Sequence, residues 1–537
     1  MRMEHNRQTS HTRRAVLGAG IAAAGSGLLA ACSGGTGRSG QGPAAGAAAV
    51  AFVSPNGTEV AAAEARRGSG PVRRYTVTAT QTKVELGAGR SFRSWAYADR
   101  LPGDEIRVTA GDTLAVTLIN NLPQSTTLHW HGIALRNDMD GAPYVTQQPV
   151  KPGASFAYEF VVPYPGTYWF HPHSGMQLDR GLYAPLIVDD PKEPLSYDRE
   201  WVVLLDDWVD GVDGSTPDDV LAELRGGRGG GMDHGMDHGG STGGHAAAAP
   251  SPSKTGRSGP SRRLRGSRSK LLGGEAGDVA YPYYLINGRT SDDPVQFSAR
   301  PGDRIRLRII NAGGDTAFRV ALGGHKLTIT HTDGFPVRHT TTDALLLAMG
   351  ERYDVVFTAG DGVFPLTALA EGKNASAMAV LRTGSGTAPG PSVRPAELDR
   401  RLVTPNRLVP DESVALPRRK PDRTVRLKLT GGMERWDWAF DRKPFTLDQR
   451  HEVRTGERVR MDFINTTSMW HPIHLHGHTY AMTGVNAVGA RKDTAAVLPN
   501  RKLTIEFDAD NPGLWMLHCH NLYHSESGMM TLLGYRS

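Results

Sequence analysis

Two cysteines occur in 537 residues, Cys32 and Cys519, and so few thiols exclude a disulfide framework. Long apolar runs are missing as well. The Ala/Gly-rich stretch ending at Leu28 is too short and too glycine-rich to span a membrane stably. Acids are absent from residues 251–270, which hold five Arg and two Lys, and nearly absent from residues 1–40, with five Arg and one Glu. Those segments carry +7 and +4 of a total of only +6, so the remaining chain is mildly acidic. The basic balance belongs to a segment expected to be cleaved and to a solvated loop. Nucleic-acid binding is therefore not implied.

Histidine is abundant by contrast, with 20 residues, and it is clustered. Four His-x-His pairs stand out: His129/His131, His171/His173, His474/His476 and His518/His520. The last pair brackets Cys519. His524 follows five residues after the cysteine and Met529 ten after it. Thiolate, imidazole and a more distant thioether form the ligand set of a blue copper site. Strand alternation explains the bracket: on an extended segment Cys519 points one way, and His518 and His520 point the other. One short peptide then touches two metal centres. His471 has the opposite parity to His474 and His476, so it can join Cys519 while those two join the remaining pairs. Five further histidines (325, 331, 339, 451 and 478) read as ordinary core or surface residues.

Internal repeats organise the chain. Residues 111–120 (GDTLAVTLIN), 302–311 (GDRIRLRIIN) and 456–465 (GERVRMDFIN) each read as a Gly-acid turn and an alternating strand ending in Ile-Asn. Residues 165–173 (PGTYWFHPH) and 512–520 (PGLWMLHCH) form a second repeat. Many short strands with Gly/Pro turns, repeated at long period, predict an all-β chain of tandem sandwiches. The expected divisions are a signal at 1–32, a flexible tether at 33–70, and domains at 71–192, 193–390 and 391–537. Histidine pairs fall only in the outer two domains, so a shared metal cluster is expected between them, with the middle domain as spacer. The middle domain is interrupted at about 225–272 by a low-complexity, basic insert expected to be disordered. Its Met232, His234, Met236 and His238 could capture copper.

The N-terminus carries Thr-Arg-Arg-Ala-Val-Leu at residues 12–17, a twin-arginine export signal. Leu29-Ala30-Ala31-Cys32 then resembles a bacterial lipobox, with Cys32 as the lipidated residue. Export and a lipid anchor on the outer face of the cell membrane are the expectation.

The four motifs resemble those of the multicopper oxidases, specifically three-domain, laccase-like enzymes of the copper-efflux (cuproxidase) type. The likeness covers about residues 75–537. Signal, lipobox and insert together are similar to actinobacterial, notably mycobacterial, lipoprotein members. The resemblance implies three cupredoxin-like Greek-key β-sandwiches and four coppers per chain. Type 1 copper would take His471, Cys519, His524 and axial Met529. Type 2 would take His129 and His474. The type 3 pair would take His131, His171, His173, His476, His518 and His520. Electrons from Cu(I) or small aromatic reductants would pass through Cys519 to His518 and His520, and dioxygen would be reduced to water. Asp140 matches an acid that the family keeps near type 2 copper. The carboxylate usual after the last type 1 histidine is Ser525 here, leaving Glu526 as candidate proton donor. The acid usual four residues before the first type 1 histidine is Thr467, with Met469 nearby, so the family's cuprous site does not transfer.

A monomeric oxidase with a role in copper tolerance is the leading reading. A general laccase without that role, a copper nitrite reductase and a non-catalytic copper-binding scaffold compete with it. Nitrite reductases build their site between chains, whereas this chain holds a full ligand set.

Overall fold

The Gly-acid-strand repeat takes up the same place three times. In the computed structural model, which describes residues 51–226 and 259–537, the repeats become strands Thr113–Asn121, Arg304–Asn311 and Arg458–Asn465. Each is central in its sheet. Each pairs in parallel with an earlier strand (Val72–Gly87, Arg199–Trp208, Arg423–Thr430) and antiparallel with a later one (Ser155–Val161, Arg352–Thr358, Lys502–Asp508). The turn glycines Gly111, Gly302 and Gly456 have φ of +94°, +87° and +89°, a region that side chains disfavour.

The terminal asparagines explain the conserved end of the repeat. Asn120 donates from Nδ2 to the carbonyls of Gln124 and Val150, Asn311 to Thr316 and Leu347, and Asn465 to Met469 and Val497. Each Oδ1 accepts a backbone N–H two residues on. The amide thus ties the strand end to two loops. Each main-chain group left unpaired in its place would cost about 1–3 kcal/mol.

A second sheet closes each sandwich. In the first domain it runs Ile106–Thr109, Ala184–Asp189, Gly166–His171, His129–His131; in the third, His451–Val453, Met530–Tyr535, Leu514–Cys519, His471–Leu475, Thr494–Val497. All four histidine pairs begin on these second sheets or at their ends. The middle domain pairs a six-stranded with a five-stranded sheet. Apolar side chains of all three sandwiches form one contiguous buried cluster. Buried polar contacts stitch the seams: Asp354, ion-paired with Arg306 and Arg308 of its own middle domain, accepts from first-domain Thr167, and middle-domain Arg352 pairs with third-domain Asp493. Burial opposes ionisation of Asp354, but the two guanidinium groups hold its carboxyl well below the usual range.

Two expectations are corrected. The segment 33–70 is not a tether throughout: Thr58–Arg66 is an α-helix with Val60 and Ala63 buried, and Val53 N–H donates to Tyr535 O. Alanine is the best helix former, and Ala63 at i+3 from Val60 makes an apolar edge that docks. The insert is likewise not disordered to residue 272. Residues 259–272 are built into the middle domain, and Arg262 is buried, donating to Ser215, Val212 and Asp213. A basic run can fold where carbonyls and acids receive it. Cys32, the export signal and the Met/His stretch 232–238 lie outside the described residues. No helix among the described residues is long and apolar enough to cross a membrane.

Candidate metal centres

Strand register sorts the ligating side chains. Leu514–Cys519 pairs antiparallel with His471–Leu475, with Ile473 opposite Cys519 and His474 opposite His518. Cys519 and His471 turn to one side. Cys519 Sγ lies 3.7 Å from Nδ1 of both His471 and His524, whose Nδ1 atoms are 3.1 Å apart. The outer nitrogens are held: His471 Nε2 by Thr467 Oγ1 at 2.9 Å, and His524 Nε2 by Asp278 Oδ2 at 2.8 Å. With Nε2 carrying the proton, each Nδ1 offers a lone pair beside the sulfur. Met529 is buried next to them, its N–H donating to His524 O and its carbonyl accepting from Cys519 N–H. Burial pushes the Cys519 thiol up, so a cation that binds there must expel a proton.

The histidine pairs gather on the other side. His131, His171 and His520 form one group that could hold a metal ion, and His173, His476 and His518 form another. His129 and His474 meet beside His131 in a third. His518 and His520, the neighbours of Cys519, thus go to different groups. His518 Nε2 is 3.1 Å from His476 Nε2 and 3.3 Å from His173 Nε2.

Several ring nitrogens are buried without a hydrogen-bond partner: Nε2 of His129, His171 and His474, Nδ1 of His131, and both of His520. Each such orphan costs about 1–3 kcal/mol, which a coordinated cation would offset. Burial, then repulsion from neighbouring imidazoles, pushes the pKa of His171, His173, His476, His518 and His520 well below the ordinary value. These rings are neutral and free to ligate. The donor set fits copper.

Carboxylates orient the rings from behind. Asp140 Oδ2 accepts from His476 Nδ1 at 2.9 Å, and its carbonyl accepts from His129 Nδ1 at 2.9 Å. Asp493 Oδ1 lies 3.1 Å from His131 Nε2, and its carbonyl accepts from His474 Nδ1 at 3.0 Å. Burial opposes its ionisation, yet Arg352, at 2.7 Å, and the two histidines hold its carboxyl well below the usual range. Glu526 stands elsewhere. It is half-buried and, with Ser525, lines a cavity of about 20 Å³ that reaches His171, His173, His518 and His520. That is room for one water-sized molecule. Burial, with Asp218 adding and Arg225 opposing, pushes the Glu526 carboxyl up to about 7.

The middle domain is more than a spacer. It contributes Asp278, Arg352 and Gly350, whose missing Cβ would stand 3.0 Å from both His131 Cε1 and His520 Cδ2. Sequence reading missed these residues and Asp493, since none has a histidine for a near neighbour. His478 stays out of the groups; its Nε2 meets Tyr535 Oη at 2.6 Å.

Comparison with known proteins points to one family. Family models described as multicopper oxidase match residues 78–193, 267–386 and 418–536. The chain is 46% identical to multicopper oxidase MmcO of Mycobacterium tuberculosis, over 98% of this chain and 96% of that protein. It is 28% identical to a copper resistance protein A homologue of Pseudomonas syringae pv. tomato, over 85% and 91%. Among solved structures, a laccase from Botrytis aclada superposes with a TM-score of 0.69 at 25% identity, covering 87% and 88% of the two chains.

Proposed function

The chain belongs to the multicopper oxidase family, a group of copper-dependent oxidoreductases that use oxygen, and from that premise we propose an exported oxidase of Cu(I) and small phenolic donors with a role in copper tolerance. The observation that carries it is Cys519 standing between His518 and His520, with a separate ligand group on each side. His471, Cys519, His524 and Met529 would hold type 1 copper, and His129 and His474 type 2. The type 3 pair would sit in His131/His171/His520 and His173/His476/His518. Copper, when bound, supplies one-electron acceptance at the cysteine and dioxygen reduction at the histidine cluster. Cys519 offers the covalent path between the two through its immediate neighbours. Asp140 fixes the rings of His129 and His476. Glu526, from its position on the small cavity, is assigned to proton delivery. Relatives named for copper resistance support the role in tolerance.

Purified protein should hold about four coppers, absorb near ~600 nm, and take up dioxygen with either Cu(I) or 2,6-dimethoxyphenol. Turnover of the phenol with Cu(I) oxidised only at its uncatalysed rate would leave a general laccase. No uptake with either donor would leave the scaffold reading. Export through the twin-arginine route and a lipid on Cys32 complete the proposal. Cys32→Ala should move the protein from the membrane to the soluble fraction, and a variant that stays with the membrane refutes the anchor.

A further inference from the structure

The imidazoles beside Cys519 offer no exposed edge. His471 and His524 are 0% exposed, and their Nε2 atoms are occupied by Thr467 and Asp278, both themselves buried. Neither ring edge is open to a donor molecule in this structure. One side chain bridges the gap. The indole of Trp438, itself only 1% exposed, is centred 4.2 Å from His524 and 5.3 Å from His471, and the same residue forms part of the wall of a surface cavity of about 520 Å³. Its Nε1 is buried with no hydrogen-bond partner among the described residues.

Asp441 and Arg442, with φ of +51° and +60°, form the two-residue turn between Phe440 and Lys443, where such values are ordinary. Trp436, between the lining residues Arg435 and Asp437, has φ of +53° outside any such turn. Left-handed non-glycine residues cost of order 1–3 kcal/mol each and persist where surroundings enforce them, often at functional sites. Trp436 is enforced by its Nε1–H, which donates to Ser527 Oγ at 2.6 Å, and it stands 6.0 Å from His524.

Charge then selects the occupant. Arg435 Nε pairs with Asp437 Oδ2 at 3.1 Å, whereas Arg442, exposed at the cavity rim, has no carboxylate partner among the described residues. One positive charge is left over. A guanidinium binds a planar carboxylate through two parallel hydrogen bonds. Among the described residues no Met, Cys or His lines the cavity, so this lining does not suit a soft cation such as Cu(I).

We propose that this cavity seats an anionic aromatic reductant, a phenol bearing a carboxylate, held by Arg442 with its ring toward Trp438, and that the electron leaves through the indole. This names the organic donor of the oxidase reading and rests on it. Each phenol gives up one electron and its hydroxyl proton, becoming a phenoxyl radical. Four such electrons and four protons reduce one dioxygen to two waters. Cu(I) has to reach the oxidase by another route.

The test titrates the copper-loaded full chain with 4-methoxybenzoate, whose O-methyl group blocks oxidation, and with neutral 4-methoxybenzyl alcohol. The acid should bind at least about tenfold tighter than the alcohol, and Arg442→Ala should remove that preference. In the same variant, KM for 4-hydroxy-3,5-dimethoxybenzoate should rise about tenfold with kcat nearly unchanged. Trp438→Phe should keep acid binding and slow bleaching of the blue band by that phenol about tenfold. Equal binding of acid and alcohol, or unchanged acid binding in Arg442→Ala, overturns the site. Unchanged bleaching in Trp438→Phe overturns the route. Acid binding as expected without dioxygen uptake from any donor would instead sink the oxidase reading and leave a carboxylate site.

Discussion

Cys519→Ser should bleach the ~600 nm absorption and lower turnover by more than about a thousandfold, roughly 4 kcal/mol of barrier. The change removes one sulfur and leaves both imidazoles and their partners Thr467 and Asp278 in place. A serine hydroxyl is close in size but does not ionise near neutral pH, so it gives copper no anionic soft ligand. It also breaks the path to His518 and His520. The fold should survive, because a small buried hydroxyl costs only about 1–3 kcal/mol. Absorbance, metal analysis and dioxygen uptake on one preparation check the result. A serine variant that stays blue, or oxidises donors at the unmodified rate, would refute the proposed path.

The second large effect is expected at Asp493, which no histidine motif contains. Its Oδ1 receives Arg352 at 2.7 Å, Thr494 at 2.9 Å and the His131 ring at 3.1 Å, all buried. Asp493→Ala strands the Arg352 guanidinium, whose other carboxylate, Asp333, is 3.8 Å away. Breaking a buried pair from one side costs about 3–5 kcal/mol. It also releases His131, and losing such an outer partner weakens metal binding about 10–100-fold. Melting temperature and copper retention after dialysis should therefore fall together. Asp493→Asn keeps the shape and one acceptor and should fall between the alanine variant and the unmodified protein. An alanine variant with native melting and full copper content would show that Asp493 merely fills space.

Legibility in the sequence followed locality. The twelve ligand candidates were readable because their spacing is short-range: alternate residues share a strand face, and Cys519 points against His518 and His520. The repeat around Asn120, Asn311 and Asn465 was readable because the same turn and strand recur, although the loops each amide clasps were not. Composition misled where it stood in for structure. The alanine-rich segment before residue 70 is a docked helix, and part of the basic insert is buried around Arg262.

By itself the sequence determined the β-sandwich repeat, the division of histidine pairs between outer domains and the two-sided geometry at Cys519, because these follow from alternation along a strand. Only the tertiary structure decided which histidines share a group, that Asp493 and Arg352 brace His131, that Asp278 covers His524, and that Trp438 stands between the buried site and an open cavity. Those contacts join residues tens to hundreds of positions apart, and their partners are chosen by how the sandwiches pack rather than by anything written beside them in the chain.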